Sequence, residues 1–417
     1  MLRAFSEAVA RCQAGSALAR HLPPLPDEGR LVLVAAGKGA GPMAEAAERH
    51  YADDLSGGRI GGVAVMPNGP SPSLEVLETR HASHPVPDDD SVAAAHAILA
   101  AVDGLSRHDH VVVLLSGGAS ALVCAPIDGV TLADKRNLTE QLLASGAGIA
   151  EINAVRTCLS DIKGGKLARA CSPARVTTLA ISDVAGDQPT VIGSGPTVDT
   201  AVSPQRVLEI AEQYHLELPR GIVDHAERAA QSVVGEFPPS DYKIIVRPMD
   251  ALSAAAEVAE SNGYEAIILG DAIEGEARSV AAEIAKECTR HDYEKRKVAL
   301  LSGGEVTVTI DPGANGTYGG SNRELALALA GALPDAPRVD ALIADTDGSD
   351  GQPGTAGPVA GAFVDSETVA RAQAIGLDVD ECLRRHLSGT FFEKLNDEFI
   401  TGPTNTNVND FRMLLIN

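Results

Sequence analysis

Short apolar runs that end in small or polar residues alternate with helical segments along most of this chain. Val111-Val112-Val113 leads into Leu114–Gly118 and Val298-Ala299 leads into Leu300–Gly304, so the sequence Leu-Leu-Ser-Gly-Gly occurs twice. Continuous apolar runs of this length are typical of strands that are buried on both faces of a parallel sheet. Strands that alternate with helices predict an α/β fold.

The length of the chain and a Pro-rich segment near its middle predict two domains. A chain of 417 residues is too long for one ordinary core, so we expect two domains. With 3% aromatic residues and no Trp, the core must consist of Ala, Val, Leu and Ile, which suits helices on parallel strands. The Pro-rich segment 236–241 is the predicted linker, and the alternation restarts after it. The predicted domains are residues 1–237 and 238–417.

The charge and the cysteines narrow the class of protein. The net charge is −23, from 34 basic and 57 acidic residues, which argues against nucleic acid and anionic membranes as partners. A site for an anionic ligand would therefore have to be locally basic. Six scattered cysteines without a CxxC pair predict reduced thiols and a cytoplasmic location. No signal peptide is expected at the N-terminus, and no apolar run reaches the ~20 residues that span a bilayer.

Gly37-Lys38-Gly39-Ala40-Gly41 lies between a predicted strand and a predicted helix. It is not a Walker A loop, and as a dinucleotide fingerprint it has Pro42 where the last glycine should stand. A third interpretation is a lysine at a helix N-terminus that reaches a phosphate or a carboxylate. A tight turn with a solvated lysine is the alternative.

Ser116-Gly117-Gly118-Ala119-Ser120 is a candidate anion-binding nest. The GxSxG pattern of a serine hydrolase is not met. Gly303 and Gly304 end the second copy, and two such loops suggest a ligand that is held from two sides. The surroundings differ, however, because the second copy continues into Glu305–Ile310, whose alternation predicts a strand.

A basic stretch follows the first Ser-Gly-Gly. Asn153 and Arg156 are three residues apart and share a helical face, and Lys163-Gly164-Gly165-Lys166 combines amides with two cations, followed by Arg169. In so acidic a chain this favours anion binding. A solvated face with a C-cap glycine is the alternative.

Acidic residues follow two predicted strands. Asp183 and Asp187 come after the first, ahead of Ser194-Gly195-Pro196-Thr197, and acids at strand ends suit Mg²⁺ that also binds phosphate oxygens. Asx turns are the alternative. The segment 344–351, which contains Asp347, lacks the final Glu of a calcium loop, so a turn or a Mg²⁺/substrate site is the better interpretation.

In order, these motifs resemble the glycerate 2-kinase family, whose C-terminal part is called the MOFRL domain. The resemblance covers nearly the whole chain and rests on the Lys38 loop, His84-Pro85-Val86-Pro87-Asp88, Leu115-Ser116-Gly117-Gly118, Asn153-Ala154-Val155-Arg156, Leu159–Gly165, Ser182-Asp183-Val184, Ser194-Gly195-Pro196-Thr197, Thr346-Asp347-Gly348 and Thr401-Gly402-Pro403-Thr404.

This resemblance implies a Rossmann-like N-terminal α/β/α sandwich and a smaller C-terminal α/β domain, with the substrates in the cleft between them. The implied reaction is phosphorylation of D-glycerate at its 2-hydroxyl, with ATP and Mg²⁺. The expected partners are these small molecules, with a homodimer as an open option.

Phosphoryl transfer consists mostly of positioning and charge neutralisation, and the roles are assigned on that basis. We expect Lys38 to neutralise the transferring group, Asp183 or Asp187 to hold Mg²⁺, and Asp347 to orient or deprotonate the hydroxyl. Two further sets of residues, one for the nucleotide and one for the acid, complete the expected site. The nucleotide contacts are Ser116, Gly117, Gly118, Ser194, Gly195, Thr197, Gly303 and Gly304, and the contacts to the acid are Ser120, Asn153, Arg156 and Lys163.

One departure from the family concerns a functional arginine. The family usually has Gly-Gly-Arg-Asn before a helix, but here Ser321 occupies the arginine position. Arg323, two residues further on, lies about 200° around a helix, and we keep it as a candidate catalytic residue.

Two other functions stay open. The family is also labelled hydroxypyruvate reductase, which would be an NAD(P)H-dependent activity, and a sugar-acid or nucleotide sensor would bind without turnover. Within the kinase hypothesis, we expect one anion-binding loop per domain, the two facing across a cleft with different tasks.

Overall fold

The structure, a computed structural model, describes residues 1–200, 202–229, 237–290, 296–310, 318–333, 338–355 and 357–417. The chain forms two compact units. One is continuous, Ala14–Ile245, and the other combines Met1–Gln13 with Val246–Asn417. The first helix, α1 (Leu2–Arg11), therefore belongs to the second unit.

The larger unit contains a six-stranded sheet between helices. Its strands are β1 (Leu31–Ala36), β2 (Ile60–Pro67), β3 (Leu77–Ala82), β4 (His110–Leu115), β5 (Arg175–Ile181) and β6 (Ser240–Val246). Its helices are α2 (Ala14–Leu18), α3 (Ala40–His50), α4 (Asp89–Ala101), α5 (Ala119–Leu122), α6 (Leu132–Ala144), α7 (Ile149–Cys158), α8 (Lys166–Ala170), α9 (Pro204–Tyr214) and α10 (Arg220–Ala229).

The strand order β3-β2-β1-β4-β5-β6 is that of a Rossmann-like sheet. β1 is parallel to both β2 and β4, with Leu31 opposite Ile60 and His110. All six residues of β1 are buried, as expected for a central strand that helices cover on both faces. The chain reverses direction across the sheet between β1 and β4, so their carboxyl ends form the crevice in which such sheets bind ligands.

The second unit is built on a mixed sheet. Its strands are β7 (Glu265–Gly270), β8 (Gly275–Glu276), β9 (Val298–Gly304), β10 (Val306–Thr307), β11 (Val339–Asp345), β12 (Gly361–Val364), β13 (Glu398–Phe399) and β14 (Asp410–Ile416). Its helices besides α1 are α11 (Pro248–Ser261), α12 (Ala277–Arg290), α13 (Ser321–Ala332), α14 (Thr368–Ala374), α15 (Val379–Arg384) and α16 (Ser388–Leu395).

The main sheet of the second unit has the order β13-β12-β11-β14-β9-β7. β14 runs antiparallel to both β9 and β11, whereas β7 and β9 are parallel. α13 is buried over almost its whole length against this sheet. The two-domain α/β class expected from the sequence is thus confirmed.

The division between the units differs from the expected boundary at residues 237 and 238. β6 extends the first sheet next to β5, although the sequence placed this strand after the linker. α1 packs in the second unit, where the Phe5 ring stands edge-on to the rings of Phe399 and Phe411 at 4.9 and 5.4 Å. Within the ranges above, no helix has the length and apolar character needed to cross a membrane.

Candidate functional site

Three loops meet at the carboxyl ends of β1, β4 and β5. β1 continues into Gly37-Lys38-Gly39 and then α3, β4 continues into Ser116-Gly117-Gly118 and then α5, and β5 continues into Ser182-Asp183. Since β1, β4 and β5 are parallel neighbours, these loops lie at one edge of the sheet, at its reversal point.

Two hydrogen bonds join the β1 and β4 loops, one between backbone groups and one to a side chain. The Lys38 amide donates to the carbonyl oxygen of Gly117 at 2.8 Å, and the Gly39 amide donates to the Ser116 hydroxyl at 2.9 Å. A Cβ atom on Gly37, whose φ is +128°, would stand 2.2 Å from that hydroxyl. Ser116 is buried, so its side chain joins the two loops and does not face a ligand.

The amides of Gly117 and Gly118 differ from those of the neighbouring loop. The amides of Lys38, Gly39 and Ala40 all donate hydrogen bonds within the protein, whereas in the part of the chain that the structure describes no oxygen accepts from Gly117 or Gly118. Two successive amides of this kind, one of them on a residue with φ of +82°, are what an anion-binding nest requires.

The side chains of Lys38, His84 and Asp183 converge on these two glycines. A Cβ atom on Gly117 would lie 1.7 Å from Asp183 Oδ2, and one on Gly118 would lie 3.0 Å from His84 Cδ2 and 3.4 Å from Lys38 Cγ. Burial raises the pKa of the Asp183 carboxyl, and the Lys38 charge opposes this rise. A lysine, an imidazole and a carboxylate thus surround two available amides.

His84 is not among the site residues expected from the sequence, where it belongs only to the His84–Asp88 motif of the resemblance. A histidine before a proline is not a local signal for a site, and only the fold places it beside Gly118.

Ser120 is the centre of a second polar cluster. The Lys163 ammonium donates to the Ser120 carbonyl and hydroxyl at 2.8 and 2.9 Å, and Arg156 Nη2 donates to the same hydroxyl at 3.4 Å. The Ser194 hydroxyl lies 3.0 Å from that of Ser120. Lys163 is almost fully buried, and this burial lowers the pKa of its amine well below the usual value. Asn153 lies on α7, three residues before Arg156, and is half-buried.

The remaining basic residues of this stretch have structural partners. The Lys166 ammonium donates to the carbonyl oxygens at the end of α7, including that of Cys158 at 3.2 Å and that of Ser160. Arg169 pairs with Asp199 and lies 5.2 Å from the centre of the Phe237 ring. Of the basic residues in this stretch, Arg156 and Lys163 therefore remain the candidates for anion binding.

The segment Ser194–Thr197 supports the Lys163 turn. The amides of Gly164 and Gly165 donate to the carbonyl oxygens of Ser194 and Gly195 at 3.1 and 2.8 Å. Thr197 is buried and its hydroxyl accepts a hydrogen bond from that of Thr178 at 2.7 Å. Only Ser194 of this segment reaches the Ser120 cluster, so nucleotide contacts of Gly195 and Thr197 stay predictions.

Asp187 ends a short 3₁₀ turn, Ala185–Asp187, that follows Asp183. Among the described residues, no three His, Cys, Asp or Glu side chains are grouped so as to hold a metal ion. Mg²⁺, however, usually takes only one or two carboxylates and completes its coordination with water and phosphate oxygens. A half-buried carboxylate with a raised pKa, as at Asp183, fits this use.

The second Ser-Gly-Gly is not a loop. Ser302, Gly303 and Gly304 form the buried end of β9, in register with Arg412, Phe411 and Asp410 of β14. A Cβ atom on Gly304, at φ of +125°, would stand 2.2 Å from the Ile273 carbonyl oxygen. The Gly303 carbonyl accepts from Ile273 N at 3.1 Å and from Arg412 Nη1 at 3.0 Å. Close packing explains both glycines, and the expectation of a second anion-binding loop is corrected.

Arg323, expected as a catalytic candidate, is fully buried in α13. Its guanidinium donates to Asp350 Oδ2 at 3.1 Å, to the Asp350 carbonyl at 2.6 Å and to Glu398 Oε1 at 3.1 Å. Asp350 also accepts from the amides of Asn322 and Arg323, so it caps the helix. These contacts give Arg323 a structural role, and it does not replace the family arginine that is missing at Ser321.

Asp347 belongs to the second unit, in the turn after β11. Its Oδ1 accepts from the Ser349 amide at 2.8 Å, and its carbonyl accepts from the Thr404 amide at 3.2 Å. This is an Asx turn joined to the Thr401–Thr404 loop. The side chain remains half-exposed, and its catalytic role stays a prediction.

Comparisons with known proteins cover both units. A family model described as a domain of unknown function (DUF4147) matches residues 1–227, and the MOFRL family model matches residues 298–410.

Relatives and a solved structure extend this result to the full length. An Agrobacterium vitis protein, whose provisional name is hydroxypyruvate reductase, is 46% identical over 93% of this chain and 100% of its own. The D-glycerate 2-kinase of Thermotoga maritima is 36% identical over 93% of this chain and 91% of its own. A crystal structure of glycerate kinase from Thermotoga maritima superposes with a TM-score of 0.87 at 34% identity, covering 100% of this chain and 98% of that one. Matches of this extent, on a fold with this crevice, make the chain a member of the MOFRL-containing glycerate 2-kinase family.

Proposed function

We propose that this protein is a glycerate 2-kinase that transfers the γ-phosphoryl group of ATP to the 2-hydroxyl of D-glycerate. The observation that carries the proposal is the group at the reversal point of the first sheet. Two available amides, Gly117 and Gly118, lie there beside Lys38 and Asp183, in a protein of net charge −23.

The proposed step forms a bond from the 2-hydroxyl oxygen of glycerate to the γ-phosphorus and breaks the bond to the β-phosphate oxygen, releasing ADP. The Gly117 and Gly118 amides bind phosphate oxygens, and the Lys38 ammonium neutralises charge on the transferring group. The proton of the hydroxyl passes to a general base, for which Asp347 remains the predicted residue.

Mg²⁺ would be held by Asp183, with Asp187 as the second carboxylate, and would supply charge neutralisation to the phosphates. Burial without full compensation raises the pKa of Asp183, so a cation beside it would stabilise the ionised form.

Arg156 and Lys163 are the proposed contacts for the glycerate carboxylate. Both donate to the Ser120 hydroxyl, and α5 places Ser120 two residues after Gly118. The acid and the phosphates would thus be held by adjacent segments of one unit.

A hydroxypyruvate reductase is the second candidate, because one relative carries that name. Dinucleotide-binding sheets of this order usually place an Asp or Glu after the second strand to bind the ribose hydroxyl. Here β2 ends at Pro67 and continues into Asn68-Gly69-Pro70, without an acidic residue, and the β1 loop has Pro42 in place of the last fingerprint glycine. Both departures favour the kinase.

A coupled assay tests the proposal. Protein, ATP, Mg²⁺ and D-glycerate should yield ADP together with an acid that enolase converts, which identifies 2-phosphoglycerate. NADH oxidation with hydroxypyruvate, in the absence of ATP-dependent product, would favour the reductase. Binding of D-glycerate or ATP without either turnover would favour a sensor.

A further inference from the structure

A cavity of about 250 Å³ opens beside the Ser120 cluster. The segment Pro85–Pro87 and Thr139 line it together with Ser120, Lys135, Arg156 and Lys163. It is smaller than the roughly 300–1,000 Å³ of sites for drug-sized ligands, so its volume suits a small organic acid.

Lys135 is the residue in this cavity whose chemistry the fold leaves unexplained. It lies in the first turns of α6, whose start is fixed by the reciprocal hydrogen bonds of Thr131 and Asp134. Its side chain is only 8% exposed, and in the described part of the chain its ammonium donates to no oxygen. Its partner is the buried thiol of Cys124, which is a weak acceptor.

The charges around the cavity are not balanced by contacts within the protein. No ion pair joins Lys135, Arg156 or Lys163 to a carboxylate within 4 Å, as far as the structure describes the chain. Asp161 attracts Lys135 only from beyond contact distance, and Glu140 is exposed to solvent. Burial lowers the pKa of both the Lys135 and the Lys163 amines, and the neighbouring cations lower it further.

An uncompensated buried ammonium is costly, and a protein retains one where a ligand supplies the counter-charge. Four cationic side chains, the exposed Arg136 besides the other three, line this small cavity and call for an anion, and the Ser120 hydroxyl is a further polar group of the lining. Phosphate groups of ATP and the carboxylate of the acid share this chemistry.

We propose that Lys135 is a specificity-determining residue that binds the carboxylate of the acceptor acid together with Arg156 and Lys163, so that the site accepts small 2-hydroxy acids and rejects neutral polyols. The cavity volume favours the acid over the nucleotide as the occupant. This inference rests on the proposed kinase function for its kinetic readout, but carboxylate binding can be measured without turnover.

The test compares wild-type protein with Lys135→Met. Calorimetric titration with D-glycerate alone, and KM values for D-glycerate and ATP, are measured on both. We expect the affinity for D-glycerate to fall about tenfold or more, with the KM for D-glycerate rising accordingly and that for ATP unchanged. Without ligand, Lys135→Met should melt at the same temperature or higher, because it removes an unpaired buried charge.

Lys166→Met is the matched control. This lysine is also largely buried, but its ammonium is bonded to carbonyl oxygens at the end of α7. Its replacement should lower the melting temperature and leave D-glycerate binding intact.

Four results would overturn the carboxylate site: equal D-glycerate binding by wild type and Lys135→Met, a rise confined to the KM for ATP, a lower melting temperature of Lys135→Met with unchanged binding, or no D-glycerate binding by the wild type. D-glycerate binding that Lys135→Met abolishes, without phosphorylation by the wild type, would instead refute the kinase proposal and leave the carboxylate site supported.

Discussion

The hydroxyl of Ser116 stabilises two loops at once. It accepts from the Gly39 amide, while the Lys38 amide donates to the Gly117 carbonyl, so the backbone around Lys38 is fixed by the neighbouring strand. The Lys38 side chain therefore begins from a rigid position beside Gly118. Preorganisation of this kind lets a cation stabilise developing charge without reorganising at the moment of reaction.

Lys38→Ala should lower kcat/KM about tenfold or more with folding intact, because the charge on the transferring group loses its neutralising ammonium. Steady-state kinetics and thermal unfolding measure the two effects. Lys286→Ala, at an exposed position of α12, is the control and should be active. Unchanged kcat/KM in Lys38→Ala would remove Lys38 from the mechanism.

The acid limb of the pH profile should report Asp183. Its pKa is raised by burial, so it becomes protonated at a higher pH than an ordinary Asp, near 3.9. If the ionised form is the active one, kcat/KM falls as the pH decreases through this raised pKa. Asp183→Asn should retain little activity and lose this limb. A profile with the same acid limb in the variant would assign it to another group.

At the scale of single elements, residues at the end of β9 and at the start of α13 serve the packing of the second unit. Gly303 and Gly304 let Ile273 and Arg412 approach the end of β9, and Asp350 closes the start of α13. Asp410 is buried beside them and accepts from Asn322 Nδ2 at 2.6 Å. This end of the second sheet thus contains charged residues that pair with one another.

Arg323→Met should destabilise the protein by about 3–5 kcal/mol, because it leaves Asp350 and Glu398 buried without their cation. Urea unfolding measures the loss. Arg338→Met removes an exposed partner of Asp340 and should cost at most about 1 kcal/mol. Full stability of Arg323→Met with lost activity would instead support the catalytic role first expected for this residue.

The parts that the sequence predicts well are those governed by local pattern. The apolar run that begins at Val111 predicts a buried strand, and it forms β4, because helices cover both faces of this sheet. Apolar and polar residues alternate over Glu305–Ile310, which predicts a strand, yet only Val306–Thr307 forms one. An alternating pattern does not by itself supply a neighbouring strand to pair with. The sequence also predicts a helix over 222–234; the structure describes α10 over Arg220–Ala229, and residues 230–234 lie outside the described residues.

For the site, sequence order indicated Lys38, Gly117 and Asp183, which do lie together. The sequence did not indicate His84 or Lys135 as site residues, because their neighbours in the fold come from other segments of the chain. The structural role of Arg323 could not be read from the sequence either, because its carboxylate partners are 27 and 75 residues away. The homodimer expected as an option stays a prediction.

At the scale of the whole molecule, the two units are not successive segments of chain. α1 packs with α11 and with the sheet of the second unit, burying Ala4, Phe5 and Ala8. The Phe5 ring contacts Phe399 and Phe411, which lie close to the other end of the sequence.

Phe5→Ala should cost about 3–5 kcal/mol of stability through the cavity it leaves. Differential scanning calorimetry should show this loss in the second unit, while the unit Ala14–Ile245 is unaffected. Leu2→Ala on the same helix, at a side chain that is 58% exposed, is the control and should change little. A melting profile identical to that of the wild type would place the stabilising contacts of α1 elsewhere.

This arrangement has a consequence for folding during synthesis. Ala14–Ile245 is contiguous, so it can form its core as soon as it leaves the ribosome. α1 is translated before it, but the strands that cover Phe5 are translated last. Even after α11 has been made, the face of α1 that carries Phe5 must therefore wait for its aromatic neighbours until almost the entire polypeptide has been translated.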